Sequence, residues 1–165
     1  MSDLPPVKTV KKILILSANP KGTTQLRLDE EVRDIKEGLQ RSKWREQFVI
    51  ESSGAVRSRD IRRAILDDEP PQIVHFSGHG IGSQGQEREY DRGDRKLIPV
   101  PESVTESGGL VFEDETGHQK LVDGEALAGL FKLFSDRLEC VVLNACYSEV
   151  QARAIAPRRV GKIKP

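Results

Sequence analysis

The segment KILILSANPKG, residues 12–22, decides the fold of this chain. Its first five residues, Lys12 followed by four apolar residues, form a run that is too short for a helix and typical of a strand buried on both faces. The Ser, Asn, Pro and Gly residues that follow predict a turn, and Thr23 or Thr24 could then cap a helix. The inner face of that helix carries apolar residues at spacings of four, three and four: Leu28, Val32, Ile35 and Leu39.

The same alternation of strands and helices continues along the chain. Further strands are predicted near 47–51, 72–76 and 139–144. A hairpin is predicted over 109–122, and helices are predicted to begin at Ser58, after Asp123 and near Ser148. Strands that alternate with helices indicate right-handed crossovers, and therefore an α/β fold with a mainly parallel sheet and helices on both faces.

The composition is that of a soluble, polar domain. The chain has 165 residues, of which 36% are hydrophobic and 32% charged, which is enough for one domain with its own core. Its 26 basic and 26 acidic residues cancel, so no basic excess indicates a nucleic-acid partner. No apolar run is long enough to span a membrane, and no export signal is visible. We therefore expect a cytoplasmic protein whose cysteines, Cys140 and Cys146, are reduced.

Three segments differ from the rest of the chain. Residues 1–10 are predicted to form a flexible N-terminus, and 157–165 an irregular basic tail. In the segment 81–108, ten of the 28 residues are charged and the apolar residues follow no regular period, which predicts a disordered insertion. The folded domain is accordingly expected to cover 11–156.

Two predicted loops place reactive side chains at one edge of the sheet, where open parallel sheets have their binding sites. His79 lies between two glycines after one strand, and Cys146 follows the last strand. A cysteine nucleophile needs a base to take its proton, and an imidazole can do this. The backbone N–H groups of Gly80 and Cys146 could then form an oxyanion hole. The residues alone leave a second interpretation open, a small buried cysteine beside an unrelated histidine.

The other histidines and the other cysteine have ordinary interpretations. Cys140, within a strand, is predicted to be a small buried hydrophobic residue. His75, in an apolar strand, is predicted to have its hydrogen bonds satisfied in or beside the core, and His118, in a turn, to be solvated. Three histidines and two cysteines occur without the C-x-x-C or H-E-x-x-H spacing of zinc sites, so we expect no metal and no other cofactor.

The motifs around His79 and Cys146 resemble those of the CHAT family, a family of caspase-like peptidase domains. The segment HFSGHG, residues 75–80, is followed in the correct order by NACYS, residues 144–148. The segments ILILSANP, residues 13–20, and GLVF, residues 109–112, are also similar to parts of this family.

The resemblance implies a caspase-like three-layer α/β sandwich and a cysteine endopeptidase that acts on a protein or peptide. By it, Cys146 is the nucleophile and His79 the general base or acid. Caspase-type specificity comes from a pocket near the first strand's loop and the nucleophile, which makes Asn19, Asn144 and Ser148 candidate pocket residues. Partner domains with a signalling role are also implied.

A caspase-like domain normally continues with further strands after the nucleophile helix, whereas 157–165 shows no strand or helix pattern. The C-terminal part of the domain is therefore expected to be missing. This predicts weak or absent turnover and self-association along an exposed apolar edge at 141–144. It also favours an alternative, a non-catalytic caspase-like signalling module. A further alternative is a flavodoxin-like phosphate-binding protein, which would use the loop NPKGTT, residues 19–24.

Overall fold

The computed structural model describes residues 10–66, 69–82 and 108–156. The strands in these ranges are β1 (Lys11–Ser17), β2 (Phe48–Ser53), β3 (Ile73–Ser77), β4 (His79–Ile81), β5 (Gly109–Glu113), β6 (Gln119–Asp123) and β7 (Cys140–Asn144). The helices are α1 (Leu28–Arg41), α2 (Ser58–Ile65), α3 (Gly124–Lys132) and α4 (Glu149–Ile155), with a 3₁₀ turn at Arg45–Gln47. The parallel strands form one sheet in the order β2-β1-β3-β7, and β4-β5-β6 form a second, antiparallel sheet.

Helices cover both faces of the parallel sheet. One face packs against α2 and α3 in a core of buried apolar side chains: Leu14, Leu16, Val74, Phe76, Ile61, Ile65, Leu127 and Phe131. On the other face, Glu31 of α1 contacts His75 of β3, and Lys36 of α1 donates to Ser52 of β2 at 2.9 Å. The arrangement confirms the predicted three-layer α/β sandwich with a mainly parallel sheet.

The apolar run of β1 forms a central strand, as its sequence predicts. Leu14, Ile15 and Leu16 each expose 1% of their surface or less, so consecutive residues are buried on opposite faces. The strand is bordered by β2 on one side and β3 on the other, with Ile13 in register with both Ile50 and Ile73. Burial on both faces is the reason this segment shows no polar alternation.

The edge strand β7 is less buried than the sequence predicts. Cys140 is exposed and Val142 exposes 40% of its surface. The prediction that Cys140 is a buried hydrophobic residue is therefore wrong. An edge strand has only one neighbour, and the face of β7 that carries these two side chains is covered less completely than the same face of β1.

The residues after β3 also differ from the prediction, because the expected loop contains the strand β4. His79 pairs with Val111 and Ile81 with Gly109 in antiparallel register with β5. The prediction of a disordered insertion over 81–108 is thus wrong at residue 81, because Ile81 lies in β4. Gly108, at the other end of that range, is buried. A glycine at the centre of only three residues hides such a strand from sequence patterns. Residues 83–107, on which the rest of that prediction falls, lie outside the described ranges.

The remaining local predictions concern a hairpin and two helix starts. β5 and β6 form the predicted antiparallel hairpin, with Gly117 in its turn at φ +79°. Asp123 caps α3 by accepting a hydrogen bond from the Ala126 N–H at 2.7 Å, as predicted. The predicted cap at Thr23 or Thr24 is wrong, since α1 begins only at Leu28. Among the described helices, none has the length and apolarity required to cross a membrane.

Candidate active site

The two strands that carry the candidate dyad are neighbours in the parallel sheet. Ser77 at the end of β3 is in register with Asn144 at the end of β7. The Gly78 N–H continues this pairing by donating to the Asn144 carbonyl oxygen at 3.2 Å. His79 and Cys146 each lie two residues beyond the Ser77–Asn144 pair. The register therefore brings both segments to the same edge of the sheet.

The glycines on either side of His79 allow two close backbone approaches, Gly80 to the Cys146 segment and Gly78 to the end of β1. A Cβ atom at position 80 would overlap the carbonyl oxygen of Cys146 and would lie 3.4 Å from the Cβ of Ala145. A Cβ atom at position 78 would lie 2.9 Å from the Ala18 carbonyl oxygen. Only glycine permits both approaches without displacement of the backbone. Of the predicted site residues, Gly80 and Cys146 are thus in direct contact.

The His79 imidazole is oriented by the loop between β1 and α1. Its Nε2 lies 2.8 Å from the Thr24 carbonyl oxygen. A carbonyl oxygen can only accept, so Nε2 carries the proton and Nδ1 is the ring nitrogen left to act as a base. Asn19 holds this loop closed, because its side-chain amide donates to the Leu26 carbonyl at 3.1 Å and its oxygen accepts from the Leu26 N–H at 3.3 Å.

Cys146 lies in the exposed turn between β7 and α4. The next residue, Tyr147, has φ +53°, a left-handed conformation that costs energy in any residue other than glycine. Gln151 of α4, with 1% of its surface exposed, supports this turn. The amide is assigned the orientation in which its nitrogen donates to the Tyr147 carbonyl at 2.7 Å and its oxygen accepts from the Gly109 N–H at 3.0 Å, since the reverse would set two acceptors and two donors against each other. The strained turn is therefore fixed by a buried side chain that also holds β5.

The three candidate pocket residues each make a hydrogen bond within the protein. Asn19 closes the loop described above, Asn144 donates to Glu31 at 2.9 Å, and the Ser148 hydroxyl donates to the Leu143 carbonyl at 3.3 Å. Of the three, Asn19 also lines a cavity of about 460 Å³ between the ends of β1 and β2 and the start of α1. The hydroxyl of Ser17, in the same cavity, is buried and has no hydrogen-bond partner among the described residues.

A polar cluster outside the predicted site residues joins the ends of β3 and β7. The Glu31 Oε1 atom accepts from the Ser77 hydroxyl at 2.7 Å and from the Asn144 amide at 2.9 Å, and it contacts His75 Nε2 at 2.9 Å. His75 is thus hydrogen-bonded beside the core, as predicted. Burial raises the pKa of Glu31, but the hydrogen bonds from Ser77, Asn144 and His75 outweigh it and hold this pKa below its ordinary value.

The sequence does contain a signal for this cluster. Position 31 lies three residues after Leu28 and four before Ile35, on the same helical stripe as the inward apolar residues. A carboxylate at such a position must find hydrogen-bond donors on the sheet. His118, in contrast, is exposed in the hairpin turn and contacts the Thr116 hydroxyl at 2.8 Å, in agreement with its prediction.

Comparison with known proteins identifies the family to which this chain belongs. The CHAT domain family model matches residues 2–160. A protein of Gillisia limnaea named "Probable protease" is 28% identical over 146 residues, which are 88% of this chain and 22% of that protein. The chain thus spans less than a quarter of the length of this relative. With a family match that covers the parallel sheet, both candidate strands and the turn of Cys146, this chain belongs to the CHAT domain family.

Proposed function

We propose that this chain is a caspase-like cysteine endopeptidase domain in which Cys146 is the nucleophile and His79 the general base. The observation that carries the proposal is the contact of Gly80 with the Cys146 carbonyl, which sets the segment of His79 directly against the nucleophile turn. Membership of a peptidase family and the name of the Gillisia limnaea relative support it. The substrate class is a protein or peptide.

In the first half of the reaction, His79 takes the proton of the Cys146 thiol through Nδ1, the nitrogen that Thr24 leaves available. The thiolate attacks the carbonyl carbon of the scissile peptide bond, and the carbonyl oxygen becomes an oxyanion. The N–H groups of Gly80 and Cys146 stabilise that charge. The carbon–nitrogen bond then breaks, and the imidazolium of His79 returns its proton to the leaving amine. A thioester on Cys146 remains.

In the second half, water replaces the amine. His79 removes a proton from the water as its oxygen attacks the thioester carbon. The carbon–sulfur bond breaks, the product leaves as a carboxylic acid, and Cys146 regains its proton from His79. Fixed orientation of the imidazole matters in both halves, because the same nitrogen accepts and returns the proton. The Thr24 carbonyl supplies that orientation and stabilises the imidazolium through its contact with Nε2.

The proposal is tested with the full chain and a mixed library of unstructured peptides. We expect cleavage that is lost in Cys146→Ala and reduced by a factor of about 100 or more in His79→Ala, the loss typical of a general base. Cys140→Ala is the matched control, because this cysteine is also exposed but lies on β7 away from the turn. Cleavage that persists in Cys146→Ala would contradict the proposal.

A second candidate function is a non-catalytic interaction module, favoured by the exposed edge of the sheet. Val142 of β7 exposes 40% of its surface, and within the described residues β7 pairs only with β3. A strand edge of this kind can pair with another chain. In this case the unmodified chain would bind a partner or itself while cleaving no peptide, and Cys146→Ala would leave that binding unchanged.

The contacts of the β1–α1 loop count against the flavodoxin-like alternative. The Lys21 N–H donates to the Gly117 carbonyl at 2.8 Å, and its Nζ donates to the Thr116 carbonyl at 3.2 Å, so both groups bind the hairpin turn. α1 begins at Leu28, six residues after Gly22, and its N-terminus is therefore separate from this loop. A phosphate loop needs its backbone N–H groups, its lysine and a helix N-terminus at one place.

A further inference from the structure

A single carboxylate oxygen connects the two strands that carry the candidate dyad. Glu31 Oε1 accepts from Ser77, two residues before His79, and from Asn144, two residues before Cys146. Its third contact, with His75 Nε2, lies on β3 as well. The Glu31 carboxylate is therefore placed to set the separation and the angle of the two strand ends at the point where the dyad begins.

We propose that Glu31 is a positioning residue for the dyad: it acts through Ser77 and Asn144 to hold His79 and Cys146 in reactive geometry. This role rests on the proposed peptidase function. Sub-ångström placement matters for such a pair, because a displacement of about 1 Å can reduce a rate by a factor of about 100.

The environment of Glu31 shows why its removal would move the strand ends. Its side chain is 26% exposed, and within residues 10–66, 69–82 and 108–156 no Lys or Arg forms an ion pair with it. Its charge is therefore stabilised by hydrogen bonds. Hydrogen bonds to an ionised group are about twice as strong as hydrogen bonds between neutral groups. Ser77 has 0% of its surface exposed, so its hydroxyl could not turn to bulk water instead.

The contact of Glu31 with Asn144 restrains the end of the strand that leads to Cys146. Asn144 is the last residue of β7, and its side chain is exposed to solvent on its other sides. Without Glu31, its amide could hydrogen-bond to water and the end of this edge strand would lose a fixed point. β7 has β3 as its only strand neighbour among the described residues. The strand that leads to Cys146 is therefore an edge strand, whereas His79 begins β4, which pairs with β5.

Three variants of the full chain test the proposal. Glu31→Leu removes the carboxylate, and Glu31→Gln retains one acceptor oxygen without the charge. Glu30→Gln is the matched control, since Glu30 is the neighbouring acidic residue of α1 and pairs with Arg27 at 3.3 Å. The readouts are the rate of alkylation of Cys146 relative to Cys140 by peptide mass spectrometry, kcat and KM for a cleaved peptide, and the melting temperature.

We expect Glu31→Leu to reduce the relative alkylation rate of Cys146 about tenfold and to lower kcat far more than it changes KM. Glu31→Gln should recover a large part of the relative alkylation rate and of kcat. Glu30→Gln should match the unmodified chain in both. Should Glu31→Leu fail to fold, Asn144→Ala removes the Asn144 connection at an exposed position and carries the same expectation.

The experiment distinguishes a failure of the proposed dyad from a failure of the proposed role of Glu31. Equal alkylation of Cys146 and Cys140 in the unmodified chain would overturn the dyad, and with it this role of Glu31. If Cys146 is alkylated much faster than Cys140, and a folded Glu31→Leu variant keeps the same ratio of rates, only the positioning role of Glu31 is overturned. A loss in Glu31→Gln confined to peptides with Lys or Arg before the scissile bond would also overturn it, because Glu31 would then recognise substrate charge.

Discussion

Gly80 packs directly on the backbone of Cys146, so closely that a Cβ atom at position 80 would overlap the Cys146 carbonyl oxygen. This contact joins β4, which begins at His79, to the turn that follows β7. The two strands β3 and β7 end in register, and the chain leaves each of them toward the same point. The candidate dyad is therefore a consequence of parallel pairing together with one glycine that permits the approach.

Gly80→Ala should disturb the site more than the rest of the fold. The added methyl group must displace the Cys146 carbonyl, a change that typically costs about 1–3 kcal/mol in the free energy of unfolding. Urea unfolding measures this cost, and we expect Cys146 alkylation to slow in the same variant. Gly38→Ala is the control, because a Cβ at that helical position meets no atom within 4 Å and should stabilise the chain by about 0.5–1 kcal/mol. An unchanged Gly80→Ala variant would contradict the described contact.

Gln151→Met should destabilise the chain through the turn of Cys146. The substitution removes the hydrogen bond to the Tyr147 carbonyl and the one from the Gly109 N–H, a polar group of a buried residue that loses this partner. Such a group costs about 1–3 kcal/mol in the free energy of unfolding. The measurement is urea unfolding, with Gln40→Met at an exposed position of α1 as the control. Equal stability of the two variants would show that Gln151 does not hold the turn.

The hairpin turn gives a pH-dependent contribution to stability. Asp114 Oδ1 accepts from the Thr116 N–H and hydroxyl and from the His118 N–H, and these bonds lower its pKa from 3.8 to about 2. A lowered pKa in the folded state stabilises that state above 3.8, and this contribution is lost as the pH falls through about 2.

Asp114→Asn isolates that contribution, since asparagine retains the acceptor oxygen without the charge. We expect the variant to be less stable than the unmodified chain near neutral pH, and the difference to shrink as the pH falls from about 4 to about 2. Urea unfolding across this range measures it. Asp136→Asn, where the side chain is 74% exposed, is the control. A difference that stays constant with pH would show that the Asp114 charge contributes nothing.

The exposed edge of the sheet predicts self-association. Val142→Lys places a charge on β7 at a side chain that is 40% exposed, and charged edge residues oppose pairing with another chain. We expect sedimentation velocity to show oligomers of the unmodified chain and fewer of them in this variant. Val150→Lys is the matched control, because Val150 is also 40% exposed but lies on α4. A purely monomeric unmodified chain would contradict this prediction.

Helices and strands with a clear pattern of apolar residues are predictable from the sequence. The strands β1, β3 and β7, the β5–β6 hairpin and the cap of α3 by Asp123 follow local patterns whose physical causes act within a few residues. The strand β4 was missed because its pairing partner lies about thirty residues away, and its own residues, with a glycine at the centre, predict a turn.

The polar details of the site were harder to predict than the fold. Cys140 was expected inside the core, but the sequence does not reveal which strand lies at an edge of the sheet, and Cys140→Ala should therefore cost little stability. The order of the motifs was sufficient to predict that His79 and Cys146 share one edge. The stripe position of Glu31 indicates an inward carboxylate, but its partners on the sheet, and the contact of Thr24 with His79, follow only from the placement of α1 and the loop before it.

The central claim is that His79 activates Cys146, and the relative alkylation rate of the two exposed cysteines tests it most directly. Both cysteines are exposed residues, so exposure alone predicts similar rates. The account predicts that Cys146 reacts with iodoacetamide about ten times faster than Cys140 near pH 7, and that His79→Ala removes the difference. Equal rates in the unmodified chain, or a difference that persists in His79→Ala, would contradict it.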